Sequence, residues 1–472
     1  SGSVTELSDA LVEDNSIYIG NDPSATTDTA QYNFALGATA LDSITTGDYN
    51  IAVGADALTD NTTGNNNIAM GQQALANNTT GSFNLAYGYY ALSDNLSGAT
   101  NAAFGHSGLA ANSSGDNNTA LGAYGLFRNT TGNENLAAGF RALYTNTTGS
   151  NNTAVGGWAL SLSTTGANNT ATGHSALYSN TTGYHNTANG YQALYTNNTG
   201  WHNSAYGYQA LYNNTTGAYN VAYGYRALYS TTVQLYNTAI GYEALYSVAG
   251  EQNTALGVQA LRASTGAYST AIGFQALLSN TSGNQNTAVG HSSLRTNIDG
   301  DYNVGLGYLS LYSNGSGSSN TATGYTALYR NTSGANNTAA GRNALKENTT
   351  GNYNTAIGFE ALDLNTTGTH NTAIGYNADV SANNLTNATA IGNGAVVTTS
   401  NTMTLGNASV STIQGSAAFS TSSDRRLKKD IVDTRYGLNT ILELRPVDYQ
   451  MKSNNLEQIG FIAQELRPIV PE

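Results

Sequence analysis

The stretch from Tyr191 to Gly217, YQALYTNNTGWHNSAYGYQALYNNTTG, states nearly the same phrase twice, and Tyr-Gln-Ala-Leu-Tyr returns after 17 residues. Inside it lies Asn-x-Ala-x-Gly, here Asn203-Ser204-Ala205-Tyr206-Gly207. Followed outward, the Asn of this motif falls at 33, 50, 67 and onward in steps of 17 to Asn237. Two steps of 16 lead to Asn253 and Ser269, and steps of 17 then resume through Asn371, giving 21 copies. The averaged unit reads N-T-A-x-G-Y-x-A-L-Y-x-N-T-T-G-x-x, and its places are numbered 1 to 17 from the leading Asn. Ala at place 3, Gly at place 5 and Ala-Leu at places 8 and 9 barely change. Asn303 heads a copy with Gly305 in the Ala place.

The first third of the unit, as in Asn50-Ile51-Ala52-Val53-Gly54, reads as a short strand ending on a glycine corner. Ala-Leu-Tyr, as in Ala193-Leu194-Tyr195, reads as a second short strand. Asn180-Thr181-Thr182-Gly183 reads as a turn in which Asn and Gly accept positive φ. A unit this short, with two glycines, is too broken for a helical repeat. Two strands and two corners make one coil of a parallel β-solenoid. At about 4.8 Å per coil the array would be a rod on the order of 100 Å long. Identical residues would then form ladders, because each coil must match its neighbours.

Composition narrows the function. Charged residues are 10% of 472, against roughly 25% in an ordinary soluble domain. A net charge of −13 disfavours nucleic acid, which needs clustered Lys and Arg. There is no cysteine for a disulfide or thiolate site. No run of 18 apolar residues spans a bilayer, and Ser1-Gly2-Ser3-Val4-Thr5-Glu6 has no signal-peptide character. No cofactor or metal set is expected. His185 and His202 share a place in adjacent coils without further ligands, and Glu134, Glu243 and Glu360 read as solvated surface.

Places 2 and 4, which face away from the coil interior, are often apolar too, as in Ile51 and Val53 or Ile68 and Met70. A strand that is apolar on both sides is buried on both sides. The second face is therefore expected to meet other copies of the chain.

The Asn-x-Ala-x-Gly units resemble the head repeats of trimeric adhesins of the YadA type, with an added Asn-Thr-Thr-Gly turn, across roughly residues 15–406. The resemblance implies a homotrimeric left-handed β-roll, about 21 coils long here. Residues 1–32 read as a cap with a degenerate first coil, 33–391 as the array, and 392–423 as degenerate last coils and neck. From Asp424 the language changes: residues 424–472 hold half of the 16 Lys and Arg and three of the four prolines. Leu438, Ile441 and Leu442 have helical spacing, and Pro446 marks a stop.

The blocks Ser423-Asp424-Arg425-Arg426-Leu427-Lys428-Lys429-Asp430-Ile431, Leu444-Arg445-Pro446-Val447 and Gly460-Phe461-Ile462-Ala463-Gln464-Glu465 resemble the intramolecular chaperone domain of phage tailspikes and fibres, also classed as the S74 peptidase. That resemblance implies a small α/β segment that guides trimer assembly and then cuts itself off. The implied scissile bond is Ser423–Asp424, with Ser423 as nucleophile and Lys428 as its base. A positioned lysine of depressed pKa can activate a serine hydroxyl.

Tyr recurs at place 10, as Tyr178, Tyr195, Tyr212 and Tyr229, and at place 6. These are candidate glycan contacts, with packing between coils as the plainer reading. Asn-x-Thr triplets such as Asn61-Thr62-Thr63 fit turn chemistry better than glycosylation. The whole reads as a virion fibre, with itself, a host-surface glycan or other receptor, and tail or baseplate proteins as partners. A bacterial surface adhesin is the alternative. Ice binding is disfavoured because most Thr fall in turns, and a polysaccharide-cutting solenoid because charged catalytic groups are scarce.

Overall fold

The computed structural model describes residues 10–20, 23, 26–413, 438–450, 457–462 and 465. The chain divides into two compact units, Ser1–Ser409 and Val410–Glu472. The first is a parallel β-solenoid. Each turn contributes one three-residue strand, such as Ile51–Val53, Thr170–Thr172 or Thr372–Ile374. Neighbouring strands pair place for place: Ala52 lies opposite Ala69, and Ala171 opposite Ala188. Of the 25 strands in this sheet, Ala10–Glu13 runs antiparallel to Ser16–Ile19 and covers the free edge of the first rung. The other 24 are parallel rungs from Ser16–Ile19 to Met403–Leu405 and define about 23 turns. The loose first and last copies of the motif are therefore full rungs.

Ala-Leu-Tyr is not a strand in the 17-residue coils. Ala193 and Leu194 are adjacent, yet both are fully buried, which an alternating strand forbids. The backbone solves this by placing Leu in the left-handed region: φ is 53° at Leu194, 52° at Leu211 and 53° at Leu228. The residues at place 7, such as Gln192 and Gln209, are left-handed as well. Each such residue costs about 1–2 kcal/mol. Burying the Leu side chain returns about 1.5–3 kcal/mol. The bent backbone still bonds to its neighbour, as in Leu194 N–H to Ala210 C=O at 2.9 Å. In the two 16-residue coils the bend is kept, with φ 49° at Leu245 and 48° at Leu261, and the turn that follows it gives way to a short strand: Ser247–Val248 pairs with Ala263–Ser264 in parallel.

The Asn and Gly of the Asn-x-x-Gly turn also owe their places to something other than positive φ. Neither Asn180 nor Gly183 is left-handed. Place 12 is a column of buried amides. Asn78 Nδ2 donates to Asn61 Oδ1 at 2.7 Å and to Gly81 C=O at 2.9 Å. Place 1 forms a second column, in which Asn67 N–H donates to Asn50 Oδ1 at 3.0 Å and Asn67 Nδ2 to Gly81 C=O at 2.9 Å. Both columns thus converge on the carbonyl of the place-15 glycine. A Cβ there would meet amide and carbonyl oxygens; at Gly200 it would lie 2.3 Å from Asn197 Oδ1 and 2.5 Å from Gly217 O. Place 5 needs glycine for two reasons: at Gly207 φ is 127°, and a Cβ would fall 2.6 Å from Gly224 O. Asn61 and Asn146, which head Asn-x-Thr triplets, are fully buried and offer no side chain for glycosylation in the fold.

The core is a thin stack of Ala from places 3 and 8 and Leu from place 9, almost all wholly buried. On the outer strand face no rung carries a charged residue at place 2 or 4. Large side chains stand exposed there, including Tyr87, Phe104, Tyr223 and Ile357. Thr also recurs at place 2, for example in the run Thr238, Thr254, Thr270 and Thr287. A strand-borne Thr column therefore exists alongside the Thr of the turns.

Candidate functional site

Past the glycine corner, places 6, 7 and 10 gather on one side of the coil. Tyr178, Tyr195, Tyr212, Tyr229 and Tyr246 form a continuous column with ring centroids 5.2 Å apart and planes within 13° of parallel. A second column at place 6 runs through Tyr191, Tyr208, Tyr225 and Tyr242 at 5.1–5.3 Å. Burial, then the neighbouring phenols of Tyr195 and Tyr229, raise the pKa of Tyr212. The rings cover one another's faces, and the ends are covered too: Arg262 lies 5.0 Å over Tyr246, and Trp158 tilts against Tyr178 at 6.2 Å. This side of the coil therefore presents ring edges and hydroxyls, not open aromatic faces.

Between the two tyrosine columns runs place 7. Gln209 Nε2 donates to Gln192 Oε1, and Arg226 Nε donates to Gln209 Oε1, both at 2.9 Å. The Arg226 guanidinium sits 5.3 Å from the Tyr225 ring and 5.2 Å from the Tyr229 ring, bridging the columns. One coil on, Glu243 accepts from Arg262 at 2.8 Å and from Gln259 at 3.3 Å. Burial pushes the Glu243 carboxyl up, but the bonds and charge of Arg262 outweigh it and hold it below the usual range. Arg295 repeats the pattern, donating from Nε to Gln275 and from Nη1 to the Tyr312 hydroxyl. Sequence reading found the tyrosines and missed Gln192, Gln209, Arg226 and Arg262. The signal was their shared register with the tyrosines, visible only once places 6, 7 and 10 are known to face one way. His185 and His202 stack at 4.7 Å in a separate column at place 17 that continues through Tyr219 and Tyr236.

In the second unit, helix Leu438–Glu443 is followed by an antiparallel pair, Val447–Gln450 with Glu457–Gly460. The helix stops before Pro446, where the proline forbids continuation. Arg445 reaches Glu465 with Nη2 at 2.9 and 3.0 Å and Nε at 3.2 Å, which joins two of the sequence blocks by a forked ion pair. Ser423, Asp424 and Lys428 lie outside the described residues. No helix among the described residues is long and apolar enough to cross a membrane.

No curated protein sequence matches the chain. Residues 423–472 match the Peptidase_S74 family, chaperone of endosialidase, so the end of this chain is similar to a chaperone domain whose match opens on Ser423.

Proposed function

We propose that the chain is a homotrimeric fibre of the phage tailspike kind, a left-handed β-roll resembling the YadA-type heads, that is structural and adhesive and resides on a virion outside the host cell. The uncharged outer strand face carries this reading. Over 24 rungs at about 4.8 Å and a strand width of three residues the face amounts to roughly 1,000 Å²; its place-4 column is largely apolar, from Leu36 and Val53 to Ile357 and Ile374, and is broken by Thr172, Asn189 and Thr323. Three copies around one axis cover three such faces at once. Its other partners are a host-surface glycan or other receptor and tail or baseplate proteins.

In this reading the C-terminal segment directs trimer assembly and then releases itself. A neutral Lys428 takes the Ser423 hydroxyl proton. Because attack on its own carbonyl would close a strained four-membered lactone, the alkoxide attacks the Ser423–Asp424 carbonyl of a neighbouring copy; the C–N bond breaks and the proton passes to the departing Asp424 amine. Water then hydrolyses the ester between the two chains and restores the Ser423 hydroxyl. The support is the family match together with the placement of Ser423 at its first residue.

Sedimentation equilibrium of the full chain tests the assembly. A mass of three chains is expected, and a stable monomer with its strand face exposed to solvent overturns the reading. The Thr column at place 2 supports a second reading, an ice-ordering surface. An ice-recrystallisation assay separates the two, since a trimer covers that column and shows no inhibition.

A further inference from the structure

The basic residues of the solenoid are segregated. Residues 424–472 hold eight basic and eight acidic side chains, so the whole net charge of −13 belongs to residues 1–423. Those residues contain only eight Lys and Arg against 21 Asp and Glu. Yet every one of the eight falls at place 6, 7, 10 or 11, on the tyrosine side. Arg342 is at place 6, Arg141 and Arg226 at place 7, and Arg262, Arg295 and Lys346 at place 10. Arg128 and Arg330 are at place 11. Two acids at these places pair with them: Glu243 with Arg262 at 2.8 Å, and Glu347 with Arg330 at 2.8 Å and Lys346 at 3.3 Å.

The spacing is regular. Arg226, Arg262, Arg295 and Arg330 belong to the coils opening at Asn220, Asn253, Asn286 and Asn320, which are every second coil. These side chains therefore recur about every 10 Å, twice the rung spacing of about 4.8 Å, and since Arg262 and Arg330 are paired to carboxylates, Arg226 and Arg295 are the two of the four without a salt bridge among the described residues. Arg226 lies 5.3 and 5.2 Å from the Tyr225 and Tyr229 ring centres, Arg262 5.0 Å from that of Tyr246 and Arg295 5.7 Å from that of Tyr312. Arg226 donates to Gln209 from Nε, and Arg295 donates from Nε and Nη1, so each guanidinium has further N–H donors for a carboxylate. Beside Arg262 the two shortened coils open a recess of about 480 Å³, lined by Gln259, Ala263, Leu278, Ser279 and Thr281.

We infer that this face binds a linear acidic polysaccharide laid along the solenoid axis, one that presents a carboxylate on every second sugar. In an extended chain of β-linked sugars each sugar advances by close to one rung. Alternate sugars then bring carboxylates into register with Arg226 and, four rungs on, with Arg295, while tyrosine hydroxyls and Gln192 and Gln209 meet the sugar hydroxyls between. Nucleic acid fits less well, because the stacked tyrosines have no free faces for bases. The inference rests on the adhesive reading above and specifies its ligand.

The test is titration of the full chain with a labelled hyaluronan decasaccharide, a polymer with a carboxylate on alternate sugars. A cellodecaose of equal length and a single-stranded oligonucleotide of equal charge are the comparisons, and the assembly mass is measured on the same sample. Saturable, salt-sensitive hyaluronan binding that strengthens with chain length is expected. Arg226→Gln and Arg295→Gln should each weaken it roughly tenfold, as expected for one charged hydrogen bond, without changing assembly mass. Arg445→Gln, in the other unit, should leave it unchanged. Absence of hyaluronan binding, equal binding of the neutral or nucleic-acid probe, or indifference to both arginine variants overturns the inference. A trimer that fails to bind refutes the ligand alone, whereas a monomer refutes the fibre reading.

Discussion

A break in the place-12 amide column permits a gain of stability by design. Between Asn146 and Asn180 the column is interrupted by Ser163. Its hydroxyl is too short to bridge, and both Ser163 Oγ and Asn146 Oδ1 are buried without a hydrogen-bond partner. Asn180 Nδ2 retains only the bond to Gly183 C=O at 2.9 Å. In an intact rung the same amide reaches both ways: Asn197 Nδ2 donates to Asn180 Oδ1 and Asn214 Nδ2 to Asn197 Oδ1, each at 2.7 Å. Ser163→Asn would restore both links on a backbone that already accepts Asn in neighbouring coils.

An unsatisfied buried polar group costs about 1–3 kcal/mol, and ordering the longer side chain takes back part of the repair. A net gain of about 2 kcal/mol follows. Long repeat arrays need not unfold as one unit, so the readout must be local. Hydrogen exchange of the backbone amides from 146 to 183 should slow about thirtyfold for 2 kcal/mol, with distant coils unchanged. The reverse change, Asn197→Ser, should speed exchange around its own coil by a similar factor. If Ser163→Asn leaves exchange unchanged or faster, the amide column is not what holds the turns in register.

Gly200→Ala places a methyl against Asn197 Oδ1 and Gly217 O and should cost about 1–3 kcal/mol or more, read as faster exchange in the coils on either side. Asp379 sits near the last rungs, where burial chiefly raises its pKa to about 6 despite bonds from the Val380 and Leu364 N–H groups. Because the folded form holds its proton to higher pH than the unfolded form, stability contributed there is full below pH 4 and falls as pH rises through 6. The loss is about 2–3 kcal/mol. Asp379→Asn should abolish this dependence in exchange measured over residues 360–397, and an unchanged pH profile would contradict it. Intact mass of the wild type beside Ser423→Ala and Lys428→Ala tests self-cleavage: a fragment ending at Ser423 is expected in the wild type alone, and identical unprocessed masses reject it.

The repeat itself determined the class of fold. Asn, Ala and Gly at places 1, 3 and 5 recur because stacked rungs pair each residue with its own counterpart, so periodicity and strand register are one property seen twice. The breaks in period were legible for the same reason, since the two 16-residue coils are where the Asn-Thr-Thr-Gly turn gives way to a short strand. The conformation of Ala-Leu was decided in three dimensions. A short apolar pair reads as strand when judged alone, and only the need to send two adjacent side chains into one thin core drives Leu194 and its counterparts to positive φ. The turn Asn was likewise explained by its neighbours, because an amide that donates to the next coil looks in sequence like any turn residue. The arginine spacing was present in the sequence but without meaning there. It acquires one when stacking turns residues 33 to 36 positions apart into neighbours about 10 Å apart on a single face.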